Sequence, residues 1–147
     1  MRKALFHRLL LPITMLLAMV FSGFFMTAHA QKSENNIKVA FIYNFLKFVE
    51  WSPSKSQGTN INLCVLGNHP FADKLDLLRG RSVYSRTIEV HYGNFMRDIS
   101  TQNCHALYIS LDKRPYLVDI LKESARSEML TISDIEDFSK EVGMIQF

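Results

Sequence analysis

Polar and apolar residues change period several times along this chain, and each change marks an element. Between Ile37 and Trp51 only Lys38, Asn44, Lys47 and Glu50 are polar, so eleven of fifteen positions are apolar or aromatic. That run predicts a helix covered on more than one side. Ser33, Asn35 or Asn36 suit its start as caps. Pro53 disfavours a helical residue before it, so the helix should stop by Trp51 or Ser52. SPSKSQGTN reads as a polar loop. INLCVLG is a short apolar run ending in Gly and predicts a buried strand over 61–66.

Pro70 suits the first turn of a helix, PFADKLDLLRG, closed by Gly80. RTIEVHY alternates and predicts a half-exposed strand over 86–92. HALYISL is another buried strand. In PYLVDILKESAR, Leu117, Ile120, Leu121 and Ala125 lie near one helical face. EMLTISD predicts a fourth strand, Ser133 and Glu136 a capping box for a short helix DIEDFSKE, and VGMIQF a last strand. Strands with continuous apolar runs, alternating with helices, predict an α/β fold: a single-domain sandwich whose mostly parallel sheet is flanked by helices. The chain has no repeat and no low-complexity segment.

The first helix carries more oil than such a fold normally hides. On a wheel with Lys38 at 0°, Glu50, Lys47 and Asn44 form a narrow polar strip confined to the second half, and Lys38 points into solvent on the first turn. Phe41, Phe45 and Phe48, with Trp51 at the end, are the candidate surface for another protein, a second copy of the chain or a small aromatic ligand. The plainer reading is a helix packed under its neighbours.

The leader alters the charge. MRKALFHR, an apolar run and Ala28-His29-Ala30 make a secretory signal peptide over residues 1–30, with the domain at 31–147 and a periplasmic destination. The apolar run, Leu9 to Met26, also approaches the length of a membrane anchor. The formal charge of +3 comes from Arg2, Lys3 and Arg8; the rest holds 14 basic against 14 acidic residues. A neutral exported domain offers no general attraction for nucleic acid. Cys64 and Cys104 are read first as one disulfide, which in an oxidising compartment contributes roughly 4 kcal/mol before strain. Two buried thiols, or a zinc site completed by His91 and His105, are the alternatives.

Candidate chemistry is sparse. LGNHPF places a turn between strand and helix but lacks the glycine spacing of a phosphate loop. His69 lies in that turn with no partner nucleophile at a recognised spacing. Arg79, Arg81 and Arg86 could hold a carboxylate, or line a solvated loop. Asp73 and Asp76 suit the start of a helix by charge alone. No catalytic, cofactor or metal residue is assigned, and the chain is expected not to be an enzyme; a hydrolase built on His69, His91 or His105 is the outlying reading.

KVAFIYNFLKFVEW followed by Pro53, LCVLGNHPF with LDLLRGRSVYSRTIEV, CHALYIS and ILKESARSEMLTISDIEDFSKEVGMIQF together resemble the YfiR/HmsC-like family of periplasmic proteins, from about Ile37 to Phe147. The resemblance implies a repressor that binds the periplasmic part of an inner-membrane diguanylate cyclase. Such a repressor lowers cyclic di-GMP and biofilm or exopolysaccharide output, and an outer-membrane lipoprotein can sequester it. A homodimer is a further expectation. The resemblance also places Cys64 and Cys104 where that family's structural disulfide lies. Its members generally continue past the Gly-Met-Ile-x-Phe strand, so this chain is expected to be C-terminally short. The alternatives are a periplasmic small-molecule sensor or a truncated inactive copy.

Overall fold

A computed structural model describes residues 26–147. The signal-peptide expectation falls mostly on residues 1–25, outside the described residues. No described helix is long and apolar enough to cross a membrane. Two compact units divide the chain, Met1–Ile37 and Lys38–Phe147. All six strands belong to the second, and the helix Met26–Phe48 runs from the first into it.

Helix α1, Met26–Phe48, is followed by a single turn, α2, Pro53–Ser56. Strand β1 is Asn60–Leu66; α3, Ala72–Leu75, runs into a 3-10 turn at Asp76–Leu78. Then come β2 Ser82–Val83, β3 Arg86–Gly93, α4 Met96–Ile99 and β4 Ala106–Ile109. A 3-10 segment at Leu111–Tyr116 leads into α5, Leu117–Arg126; β5 is Leu130–Ser133, a 3-10 turn spans Phe138–Glu141, and β6 is Ile145–Gln146.

The six strands form one sheet in the order β2-β3-β1-β4-β5-β6. Every pairing is parallel except β2 with β3. The expected mostly parallel α/β domain is the observed one. β1 sits at the centre, with Leu63 opposite both Val90 and Ala106. Its alternation feeds two cores. Ile61, Leu63 and Val65 join Ile88, Val90, Ala106, Tyr108 and Ile132 under α1 and α3. Cys64 and Leu66 join Leu107, Ile109, Leu117, Ile120, Leu121 and Phe138 on the face that α5 covers. A strand buried on both sides needs the continuous apolar run that INLCVL supplies.

Several boundaries differ from expectation. α1 runs straight through Ser33, Asn35 and Asn36, so these positions are helix interior rather than caps, while its end at Phe48 keeps to the expected limit of Trp51 or Ser52. The polar stretch SPSKSQGTN contains α2, with Pro53 at its first turn, where the missing N–H costs nothing. The helix after Pro70 has only one α turn. β2 forms a two-residue hairpin with β3 through Tyr84–Ser85, and Tyr84 takes φ 54°. Nothing in LRGRSVYSR alternates long enough to announce a strand.

On α5 it is Ser124, not Ala125, that completes the buried stripe with Leu117, Ile120 and Leu121. Its hydroxyl is satisfied by Ile120 O at 2.7 Å. The predicted capping box at Ser133 does not form either. Ser133 Oγ accepts from Ile135 N at 3.0 Å and donates to Ile109 O at 2.7 Å, a local turn that leaves no helix at Asp134–Glu136.

Cys64 and Cys104 are joined by a disulfide, Cα to Cα 5.8 Å, between the middle of β1 and the entry to β4. Two sulfurs bonded to each other are not thiolate ligands, so the zinc and free-thiol alternatives fall. Among the described residues no group of three His, Cys, Asp or Glu side chains could hold a metal ion.

Candidate functional site

The helical period assigns each residue of the Lys38–Phe48 part of α1 a depth. Val39, Ile42 and Leu46, spaced three and four apart, are buried against the sheet. Tyr43 and Phe45 flank that stripe and are half-buried; the Tyr43 hydroxyl donates to Ser82 O at 3.1 Å and ties the helix to the hairpin edge. Phe41 and Phe48 lie on the far side. They are 49% and 70% exposed. Asn44 is exposed beside them.

The rings are ordered among themselves. Phe41 and Phe45 stack at 6.2 Å between centroids, and Phe147 lies 6.4 Å from the first and 6.3 Å from the second. Lys47 Nζ sits 5.4 Å from the centroid of the Phe48 ring, a cation–π contact. β6, next to Phe147, is the outer strand of the sheet among the described residues. One wall of aromatic rings beside a strand edge can receive an apolar segment of another molecule.

The four sequence-predicted surface residues therefore do not act as a unit. Phe41 and Phe48 are open, and Phe45 is half-covered as part of the core. Trp51, past the helix end, is half-buried and meets the edge of His105 at 5.3 Å. Lys38, expected in solvent, is turned inward and pairs with Asp134 at 3.6 Å. A helix packed on a sheet along one stripe leaves its opposite face open whatever that face carries, and here it carries phenylalanine.

The polar candidates go elsewhere. His69, 7% exposed, follows β1; its Nδ1 accepts from Phe71 N at 3.3 Å, and the ring lies 4.0 Å from Phe71 and 4.1 Å from Tyr108. Nε2 then holds the proton, with no hydrogen-bond partner among the described residues. Burial lowers its pKa from 6.5 to about 4, against the opposing pull of the Asp134 carboxylate. The Tyr108 hydroxyl is pushed up strongly by burial and by Asp134. A base enclosed by two rings has no route to a substrate.

His105 is buried too. Its Nδ1 accepts from Asn62 N at 3.0 Å and its Nε2 donates to Lys55 O at 2.8 Å. Burial and then the nearby cations Arg86 and Lys55 hold the ring neutral, opposed by its bond to Lys55 O. The histidine braces α2 against the sheet. Arg79, Arg81 and Arg86 do not converge. Arg79 reaches Asp76 at 3.1 Å and Glu89 at 3.5 Å, Arg81 Nε donates to Leu77 O, and Arg86 donates to Lys55 O and Asn60 O.

One residue escaped the sequence reading altogether. Lys55, in what reads as a solvated Ser-Pro-Ser-Lys-Ser loop, is only 8% exposed. Its ammonium donates to Asn103 Oδ1 at 2.9 Å and Cys104 O at 2.8 Å. No local pattern marks it, because its burial comes from the Cys104 loop forty positions and more along the chain.

The sequence pattern of a family described as YfiR/HmsC-like matches residues 35–147, from inside α1 to the last residue. A search of the curated proteins found no match. The match spans every strand of the sheet and both cysteines, and by it the chain belongs to the YfiR/HmsC-like family.

Proposed function

We propose that this protein is a periplasmic regulator that represses an inner-membrane diguanylate cyclase by binding the cyclase's periplasmic part. The family match over residues 35–147 carries the reading, since the family is consistent with regulation of this kind rather than with catalysis. The open Phe41 and Phe48 face of α1 supplies a surface on which such binding takes place. The repressor acts by preferring one conformation of the cyclase's external domain. It shifts that equilibrium only by the difference in its affinity for the two states. Cyclic di-GMP, biofilm and exopolysaccharide output fall as a consequence, and an outer-membrane lipoprotein that competes for the protein relieves the repression.

The test pairs a cell with a purified system. Deleting the gene in a strain with a matching cyclase raises cyclic di-GMP, and restoring it lowers the level again. Light scattering on the protein mixed with the cyclase ectodomain shows a complex that Phe48→Ser weakens. Unchanged cyclic di-GMP, together with no complex at micromolar concentration, removes the proposal.

A further inference from the structure

On the opposite face of the sheet from α1, a cleft of about 700 Å³ lies between α4, α5 and the Cys104 loop. That volume suits a compact organic molecule. Its floor is apolar: Ile99, Cys104, Ile120 and Met129 are buried side chains that line it, and Met96 adds a flexible thioether at the side. One wall is the buried Lys55. An ammonium has three N–H donors, and two of them are spent on Asn103 and Cys104. The third has no acceptor among the described residues.

The charges around the cleft are not symmetric. Arg97 stands at one rim on α4, largely exposed, with its guanidinium over the Phe95 ring. Across from it, α5 presents Asp119 and Glu123, the latter 3.4 Å from Arg126. Among the described residues no carboxylate lies within salt-bridge reach of Lys55, and burial lowers its pKa, with the Glu128 charge opposing. A cation held in an apolar wall with a donor to spare is complementary to a carboxylate whose body is apolar.

We infer that this cleft binds a small apolar carboxylate, its acid group on Lys55 and its hydrocarbon or aromatic body on Met96, Ile99, Ile120 and Met129. The acid completes the hydrogen bonding of the ammonium, and the body removes the apolar floor from water. The site belongs to the α5 face and stands independently of the α1 surface, so either assignment survives the loss of the other.

Calorimetry on the oxidised protein with 3-phenylpropionate, beside 3-phenylpropanamide as its uncharged counterpart, tests the assignment. The acid binds, and the amide binds at least tenfold more weakly. Ser127→Trp, at a half-exposed position of the lining, fills the mouth and abolishes binding with an unchanged melting temperature. Lys55→Met weakens the acid at least tenfold. Asn103→Asp, nearly the same in shape, neutralises the ammonium in place and gives the same loss in a chain that keeps its lysine. No heat with the acid at millimolar concentration, equal binding of acid and amide, or undiminished binding in Ser127→Trp or Asn103→Asp overturns the assignment.

Discussion

The two faces of the sheet are built by different means. On one face the Lys38–Phe48 part of α1 anchors itself by a narrow stripe, Val39, Ile42 and Leu46, with Phe71, Leu75 and Leu78 of the α3 region beside it. On the other face the cover is assembled from short pieces: α4, the Leu111–Tyr116 turn, α5 and the Phe138–Glu141 turn. A long helix contributes many contacts along one stripe and leaves the remainder of its circumference to solvent. Short pieces wrap more closely but need a fastening, and the Cys64–Cys104 disulfide lies in that second core. The first face therefore exposes a ridge of rings, while the second encloses a cleft. Convexity suits a protein partner and concavity suits a small molecule.

The comparison breaks most severely at the disulfide. The Cys64→Ala, Cys104→Ala pair loses the constraint of a bridge spanning 40 positions, roughly 4 kcal/mol on the chain-entropy account. Urea denaturation of the pair, beside the native protein with and without reductant, measures it. Reductant should bring the native protein close to the variant and leave the variant unmoved.

Leu46→Ala comes next. The side chain is wholly buried, so its loss costs about 3 kcal/mol. Denaturant midpoints under oxidising conditions should show that loss with the second face still bridged.

The pH response is of similar size. His69 has a folded pKa near 4, below the usual 6.5, so the unfolded chain takes up its proton first as pH falls. The associated stability is complete above about pH 6.5 and is lost between there and pH 4, a difference of roughly 3 kcal/mol. His69→Gln should flatten this part of the stability profile, read as urea midpoints at pH 7, 5.5 and 4.5. An unaltered slope would assign the acid sensitivity to other groups.

The smallest stability effect belongs to the ridge. Phe48→Ser, on a ring already 70% exposed, should change stability by no more than about 0.5 kcal/mol. The same change should weaken the complex with a cyclase ectodomain. A large stability loss in Leu46→Ala beside a binding loss alone in Phe48→Ser would separate stability from binding on α1.

Periodicity revealed most of the scaffold. β1 and β4 fall where their apolar runs predict, since a parallel strand buried on both sides is almost all hydrophobic over a short length, β3 falls where alternation predicts it, and β5 lies within EMLTISD. Elements of two to four residues stayed hidden. β2 and α2 owe their shape to what they touch, and Lys55 within α2 reads as a surface residue until Asn103 and Cys104 close over it.

Of the proposed partner surface, the sequence showed that Phe41, Phe45 and Phe48 share a helix. Only packing distributed them, two outward and one partly inward, and took Trp51 away to His105.

By itself the sequence determined the longer elements, the class of fold and the pair of cysteines, because these depend on the spacing of apolar positions and on residue type, which are local. The tertiary structure decided which side of α1 is spare, which lysine is buried and where the cleft lies. Each of those depends on what arrives from a distant part of the chain to exclude water, and a one-dimensional pattern holds no record of it.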